Sequence, residues 1–121
     1  MNNISIVIPV YNEAKILHTF LMYLQEMNSK NIMEFLVVDG QSTDDSKAIV
    51  LEFSKKYTKF KGIDSPKGRA VQMNTAAAQA KGTILYFLHA DSLPPKEFDA
   101  HILKAVGNGS KSGCFKMKFD S

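Results

Sequence analysis

The sequence predicts an α/β domain built on a mainly parallel sheet with helices packed on its faces. Three observations carry this expectation. Short, nearly continuous apolar runs, such as ISIVIPV at Ile4–Val10, read as strands covered on both faces. Stretches of helical periodicity lie between them, so strand and helix alternate as in successive βαβ units. The chain has 121 residues, 45% of them hydrophobic and 22% charged, which suits one hydrophobic core and excludes wholesale disorder.

The elements follow in order. After the first strand, Asn12 is placed to cap a helix whose Ile16, Leu17, Phe20, Leu21 and Leu24 fall on one stripe. Met33 to Asp39 forms the second strand. Ser42 or Thr43 caps a second helix with Ile49, Val50, Phe53 and Tyr57 on its inner face. Phe60 to Ile63 makes a short third strand. Gly68 to Lys81 is an alanine-rich third helix, with Gly82 as its C-terminal cap. Thr83 to Leu88 is the fourth strand and ends at His89-Ala90-Asp91. Pro94 or Pro95 opens a helix running to Val106. From Gly113 to Phe119 the residues alternate, with Phe115, Met117 and Phe119 on one face and Cys114, Lys116 and Lys118 on the other. That pattern is a half-buried strand.

Composition narrows the function classes. No apolar run is long enough for a membrane span, and the N-terminus does not read as a signal peptide. A single cysteine, Cys114, forms no intrachain disulfide, which fits a reducing compartment. The expected location is the cytoplasm, with peripheral attachment to the inner membrane face as a variant. A formal charge of +3 and a pI near 9.0 favour small anionic ligands or lipid headgroups weakly. No nucleic-acid partner is expected.

Ligands of an open parallel sheet bind beyond the carboxyl ends of its strands. Those ends carry Pro9, Tyr11, Asn12 and Glu13, then Asp39 followed by Gln41, Ser42, Thr43 and Asp44, then His89, Asp91 and Ser92. Asp39 either serves its Asp-Gly turn or bonds the edge of a nucleobase or ribose. Asp91 either caps a turn or holds a divalent cation such as magnesium or manganese. Lys67 and Arg69, beside Gly68, are either solvated charge or a cationic seat for an anion at a helix start. Tyr11 either stacks on a base or closes the core as a rim aromatic. The sequence lacks GxGxxG after the first strand, GxxxxGK[ST], HExxH, paired cysteines and GxSxG. Dinucleotide, P-loop, common zinc and hydrolase readings are thereby excluded. His18 and His101 read as surface residues and Cys114 as core filler.

Three motifs bring a known family into view. IVIPVYNE at 6–13, VVDGQSTDDS at 37–46 and GRAVQMNTAAAQAKGTILYFLHAD at 68–91 resemble the family-2 glycosyltransferases, in particular bacterial members with a GRAxQMN…LHAD signature. The resemblance runs from residue 4 to about 119. It implies the GT-A fold: a three-layer α/β/α, Rossmann-like nucleotide-binding half, mainly parallel, with an antiparallel C-terminal strand. It also implies a nucleotide-diphospho-sugar, UDP- or GDP-linked, as donor, with Pro9, Tyr11, Glu13 and Asp39 around base and ribose. Arg69 then contacts the nucleotide. His89 and Asp91 occupy the position of the family's DxD motif, and Asp91 reaches a Mg²⁺ or Mn²⁺ ion on the diphosphate. The implied reaction inverts the anomeric carbon as a carboxylate base deprotonates an acceptor hydroxyl.

Two departures shape the expectation. His89 replaces the first aspartate of DxD, and Gly40 replaces the second of a usual aspartate pair. Family members also continue for about a hundred residues that supply the acceptor site and base. Residues 1–121 are therefore expected to be one nucleotide-sugar-binding domain, truncated before the acceptor half, with the exposed face of its last strand either completed by another copy or left sticky. The acceptor is not specified. Two other readings stay open: a non-catalytic nucleotide-binding or assembly module, and a nucleotidyltransferase on a similar fold.

Overall fold

The computed structural model describes residues 4–89. Four strands and three helices alternate: β1 (Ile4–Val10), α1 (Ala14–Glu26), β2 (Ile32–Asp39), α2 (Ser46–Lys56), β3 (Phe60–Asp64), α3 (Arg69–Gln79) and β4 (Ile84–Phe87). The strands form one sheet in the order β3-β2-β1-β4, and every pairing is parallel. The expected helix after Pro94 or Pro95, the strand at 113–119 and Asp91 lie outside the described residues.

Side-chain alternation along the strands sorts the core into two layers. Ile4, Ile6, Ile8 and Val10 of β1 join Phe35 and Val37 of β2 under Leu17, Phe20, Leu21, Leu24, Val50 and Phe53 of α1 and α2. On the other face, Val7, Leu36, Val38, Ile63 and Phe87 pack against Ala76 of α3, with Met73 at the margin. The alanine-rich sequence of α3 lets that helix lie close to the sheet. The three-layer α/β/α arrangement is as expected.

Four local expectations are corrected. Ile16 is 39% exposed and leaves the buried stripe of α1. Asn12 does not cap α1; its residue adopts a positive φ of 53° and its side chain reaches another loop. Neither Ser42 nor Thr43 caps α2, where Asp44 Oδ1 instead accepts the Ser46 N–H at 2.9 Å. Gly82 does not cap α3 either, because the helix ends at Ala80 in extended backbone. The amides of Lys81 and Gly82 instead donate to Glu34 Oε2 and Ser5 Oγ at 2.7 and 2.9 Å.

Glu34 is the buried charge at this amino-terminal end of the sheet, 1% exposed. Its carboxylate accepts from Ser5 Oγ at 2.7 Å and from Lys61 Nζ at 3.2 Å as well as from the Lys81 amide. Burial pushes its pKa up, but these bonds and the Lys61 charge outweigh burial and leave it below the ordinary value. No helix among the described residues is long and apolar enough to cross a membrane.

Candidate functional site

The strand order reverses direction between β1 and β4, since β2 and β3 lie to one side of β1 and β4 to the other. That switch point opens a crevice at the carboxyl edge of a parallel sheet. A cleft of about 440 Å³ occupies it, lined by Pro9, Tyr11, Glu13, Arg69, Gln72 and His89 among others. A second hollow of about 430 Å³ lies at the carboxyl ends of β2 and β3, where Asp39, Ser42, Lys47 and Asp64 line it. Of the seven residues singled out in the sequence, five therefore share the first cleft and Asp39 lines the second. Asp91 lies outside the described residues.

The two loops that carry these residues are locked together. Asn12 Oδ1 accepts the Thr43 N–H at 2.7 Å and the Asp44 N–H at 3.3 Å. In return, Ser42 Oγ, Ser46 Oγ and Asp44 Oδ2 accept the N–H groups of Asn12, Glu13 and Ala14. These otherwise orphaned amides at the start of α1 are satisfied from across the sheet rather than by a local cap. The positive φ of Asn12 suits asparagine, one of the few residues that tolerate it. The Ser46 hydrogen bond, ahead of smaller causes, holds the Asp44 carboxyl below its ordinary pKa.

Asp39 is 4% exposed. Its Oδ2 accepts from the Gln41 and Ser42 amides at 3.1 and 3.0 Å. Its Oδ1 is buried with no hydrogen-bond partner among the described residues. An unpaired buried carboxylate oxygen costs roughly 1–3 kcal/mol or more, so the fold tolerates an unfavourable acceptor at this edge. Functional sites are a common reason for such an exception.

The cleft wall is cationic. Lys67 Nζ lies 4.5 Å from the centroid of the Tyr11 ring, within cation–π range. Arg69 Nη2 lies 2.8 Å from His89 Nδ1. Gly68, with φ of 129°, makes the turn into α3 in a conformation that favours glycine. The first turn of α3 carries no acidic side chain, and no side chain caps it.

Gln72 falls within the GRAVQMN motif but is not singled out there as a site residue. Its carboxamide is 4% exposed, and Nε2 donates to Val10 O at 2.9 Å and Val38 O at 2.8 Å. It thereby ties α3 to the ends of β1 and β2. Its place in the motif was the available signal; its partners, 62 and 34 residues away in sequence, were not visible. Among the described residues, no three His, Cys, Asp or Glu side chains cluster as a metal site.

A family model described as glycosyl transferase family 2 matches residues 5–116. The chain belongs to that family. It is 28% identical over 122 residues to a Bacillus subtilis protein named "Probable glycosyltransferase YdaM", covering 96% of this chain and 29% of that one. It is 35% identical over 98 residues to glycosyltransferase AglE of Haloferax volcanii, covering 78% of this chain and 32% of the relative. The mannosyltransferase PcManGT from Pyrobaculum calidifontis, solved with GDP-Man and Mn²⁺, superposes with a TM-score of 0.72 at 27% identity. That match covers 84% of this chain and 31% of the other. Staphylococcus aureus TarS 1–349 with UDP-GlcNAc gives 0.71 at 26% identity, over 88% and 31%. This family-2 chain thus spans about a third of the length of the relatives it matches.

Proposed function

We propose that this family-2 chain binds a nucleotide-diphospho-sugar at the carboxyl edge of its sheet and serves transfer of the sugar to an acceptor hydroxyl. The observation that carries the reading is Asp39 Oδ1, a buried acceptor without a partner among the described residues, in the hollow at the carboxyl end of β2, while Lys67 and Arg69 line the separate cleft at the carboxyl end of β1. An N–H of a nucleobase satisfies such an acceptor, and the two cations suit the diphosphate. Tyr11, Pro9 and Glu13 are assigned to base and ribose. PcManGT with GDP-Man and TarS with UDP-GlcNAc support a nucleotide-sugar of the same general kind.

In the proposed reaction an acceptor hydroxyl attacks the anomeric carbon in line. The bond from that carbon to the diphosphate breaks with its electron pair leaving on the phosphate oxygen, and a carboxylate takes the hydroxyl proton. The sugar inverts at that carbon. This chain's described residues hold the leaving half: Asp39 orients the base, and Arg69 faces the charge that grows on the diphosphate.

Manganese or magnesium is proposed at Asp91 and the diphosphate, where such an ion would neutralise the leaving group. The described residues do not supply a ligand set for it. The PcManGT complex with Mn²⁺ supports a divalent ion.

Product analysis tests the reaction class. Incubation with UDP- and GDP-sugars and candidate acceptors is expected to yield transferred sugar and free nucleoside diphosphate. Released pyrophosphate would point to nucleotidyl transfer instead, and nucleotide binding without turnover would reduce this chain to a binding module.

A further inference from the structure

His89 lies two residues beyond the end of β4, Arg69 opens α3, and both line the same cleft. The two side chains meet through Arg69 Nη2 and His89 Nδ1, 2.8 Å apart. A guanidinium has donors and no acceptor. Nδ1 must therefore accept, and the ring proton of that tautomer lies on Nε2. The partner fixes the assignment, which the ring alone does not.

This polarity is the reverse of a metal-ligating histidine. Such a ring coordinates through one nitrogen and donates its other N–H to a carboxylate or carbonyl. In this chain the lone pair of Nδ1 is engaged by a cation, and Nε2 carries hydrogen. A divalent ion at the ring would also stand close to the Arg69 charge. An anion faces no such opposition: Lys67 and Arg69 line the cleft, and the first turn of α3 adds its own favourable dipole.

We propose that His89 donates an Nε2–H hydrogen bond to the diphosphate of the bound nucleotide-sugar. It is oriented for this by Arg69, and it is not the first metal ligand of a DxD-like pair. The proposal rests on the nucleotide-sugar reading of the cleft. His89 then supplies by hydrogen bonding part of the charge neutralisation that an aspartate supplies through a metal, and Arg69 acts both on the diphosphate and as the positioning residue for the ring.

Nitrogen-15 NMR of the imidazole rings of the 121-residue chain, with inorganic pyrophosphate and no metal, tests this directly. The expected spectrum shows His89 protonated at Nε2 and bare at Nδ1, with the Nε2–H resonance moving as pyrophosphate binds. Addition of Mg²⁺ with UDP or GDP is expected to leave that proton in place. The opposite tautomer, an Nε2 signal indifferent to pyrophosphate, or loss of the Nε2 proton on adding Mg²⁺ each overturns the proposal. His89→Gln, which keeps a donor near the Nε2 position, is expected to hold metal-free pyrophosphate affinity within about threefold, while His89→Asp weakens it at least about tenfold. Equal affinities in the two variants would contradict the donor role. If pyrophosphate moves His89 but neither UDP nor GDP binds more tightly than pyrophosphate, the donor role stands and the nucleotide reading falls.

Discussion

The carboxamide of Gln72 fills the space into which any side chain at Gly40 would extend. A Cβ built on Gly40 meets Gln72 Cδ at 2.7 Å, Oε1 at 2.8 Å and Nε2 at 2.9 Å. A side chain at position 40, such as the second aspartate that the resemblance implies, would therefore have to displace Gln72. The Gln72 amide, anchored on the Val10 and Val38 carbonyls, takes the room that a second carboxylate would need. Asp39 is left as the single carboxylate at the end of β2.

Gly40→Ala is expected to destabilise the fold by about 1–3 kcal/mol, because Gln72 cannot retreat without giving up its two buried hydrogen bonds. Shortening the partner in Gly40→Ala/Gln72→Ala removes the clash, so the two losses are less than additive. Urea unfolding of the four proteins measures this. Strict additivity would show that Gln72 does not constrain position 40.

Asn12 offers a second test, since it combines a left-handed backbone with the acceptor that joins the two loops. Asn12→Ala loses both and is expected to cost about 2 kcal/mol; Asn12→Gly keeps the backbone and is expected to cost about half of that. Both variants should also weaken nucleotide binding, because the platform holding Tyr11 and Glu13 against the Asp39 loop loosens. Thermal unfolding and titration with UDP or GDP read the two effects. Equal destabilisation by alanine and glycine would contradict the backbone part of the argument.

The sheet was legible because β-branched apolar runs and interleaved helical stripes are local signals. Ile4–Val10 matched its strand residue for residue, and most of the residues named at the strand ends line the two hollows at the carboxyl edge. The caps were not legible. Asn12 resembles a local N-cap, yet its acceptors and donors lie 30 and more residues away at Ser42, Thr43 and Asp44. Gly82 likewise follows a helix but answers to Ser5 on β1. Ile16 has the right spacing for the core stripe but falls at its margin, at the first turn. Gln72 and Gly40 depend on how α3 crosses the strand ends, which spacing along the chain does not encode. The Tyr11–Lys67 and Arg69–His89 contacts arise in the same way.

Glu34 makes stability pH-dependent with a defined sign. Its carboxyl lies below the ordinary 4.5 in the folded chain, so between that value and the lowered one the unfolded chain binds more protons. The contribution is present above 4.5 and is lost as pH falls through the folded value. Glu34→Gln, which removes the charge facing Lys61, is expected to lower stability at pH 7 and to differ less from the wild type at pH 3. Denaturation across that range checks it. A difference that grows on acidification would reverse the sign.

Asp91→Asn is expected to remove the Mn²⁺-dependent part of UDP or GDP affinity while leaving the unfolding temperature unchanged. Affinity in Mn²⁺ equal to that of the wild type would take Asp91 out of the proposed ion site.

The central claim is that Asp39 reads a nucleobase at the end of β2. Calorimetric titration of the wild type and Asp39→Asn with UDP and with GDP tests it most directly. Saturable binding of one nucleotide by the wild type is expected, weakened by about ten- to a hundredfold in the variant, as for loss of a charged hydrogen bond. Binding of neither nucleotide by the wild type, or undiminished binding by a folded Asp39→Asn, would contradict it.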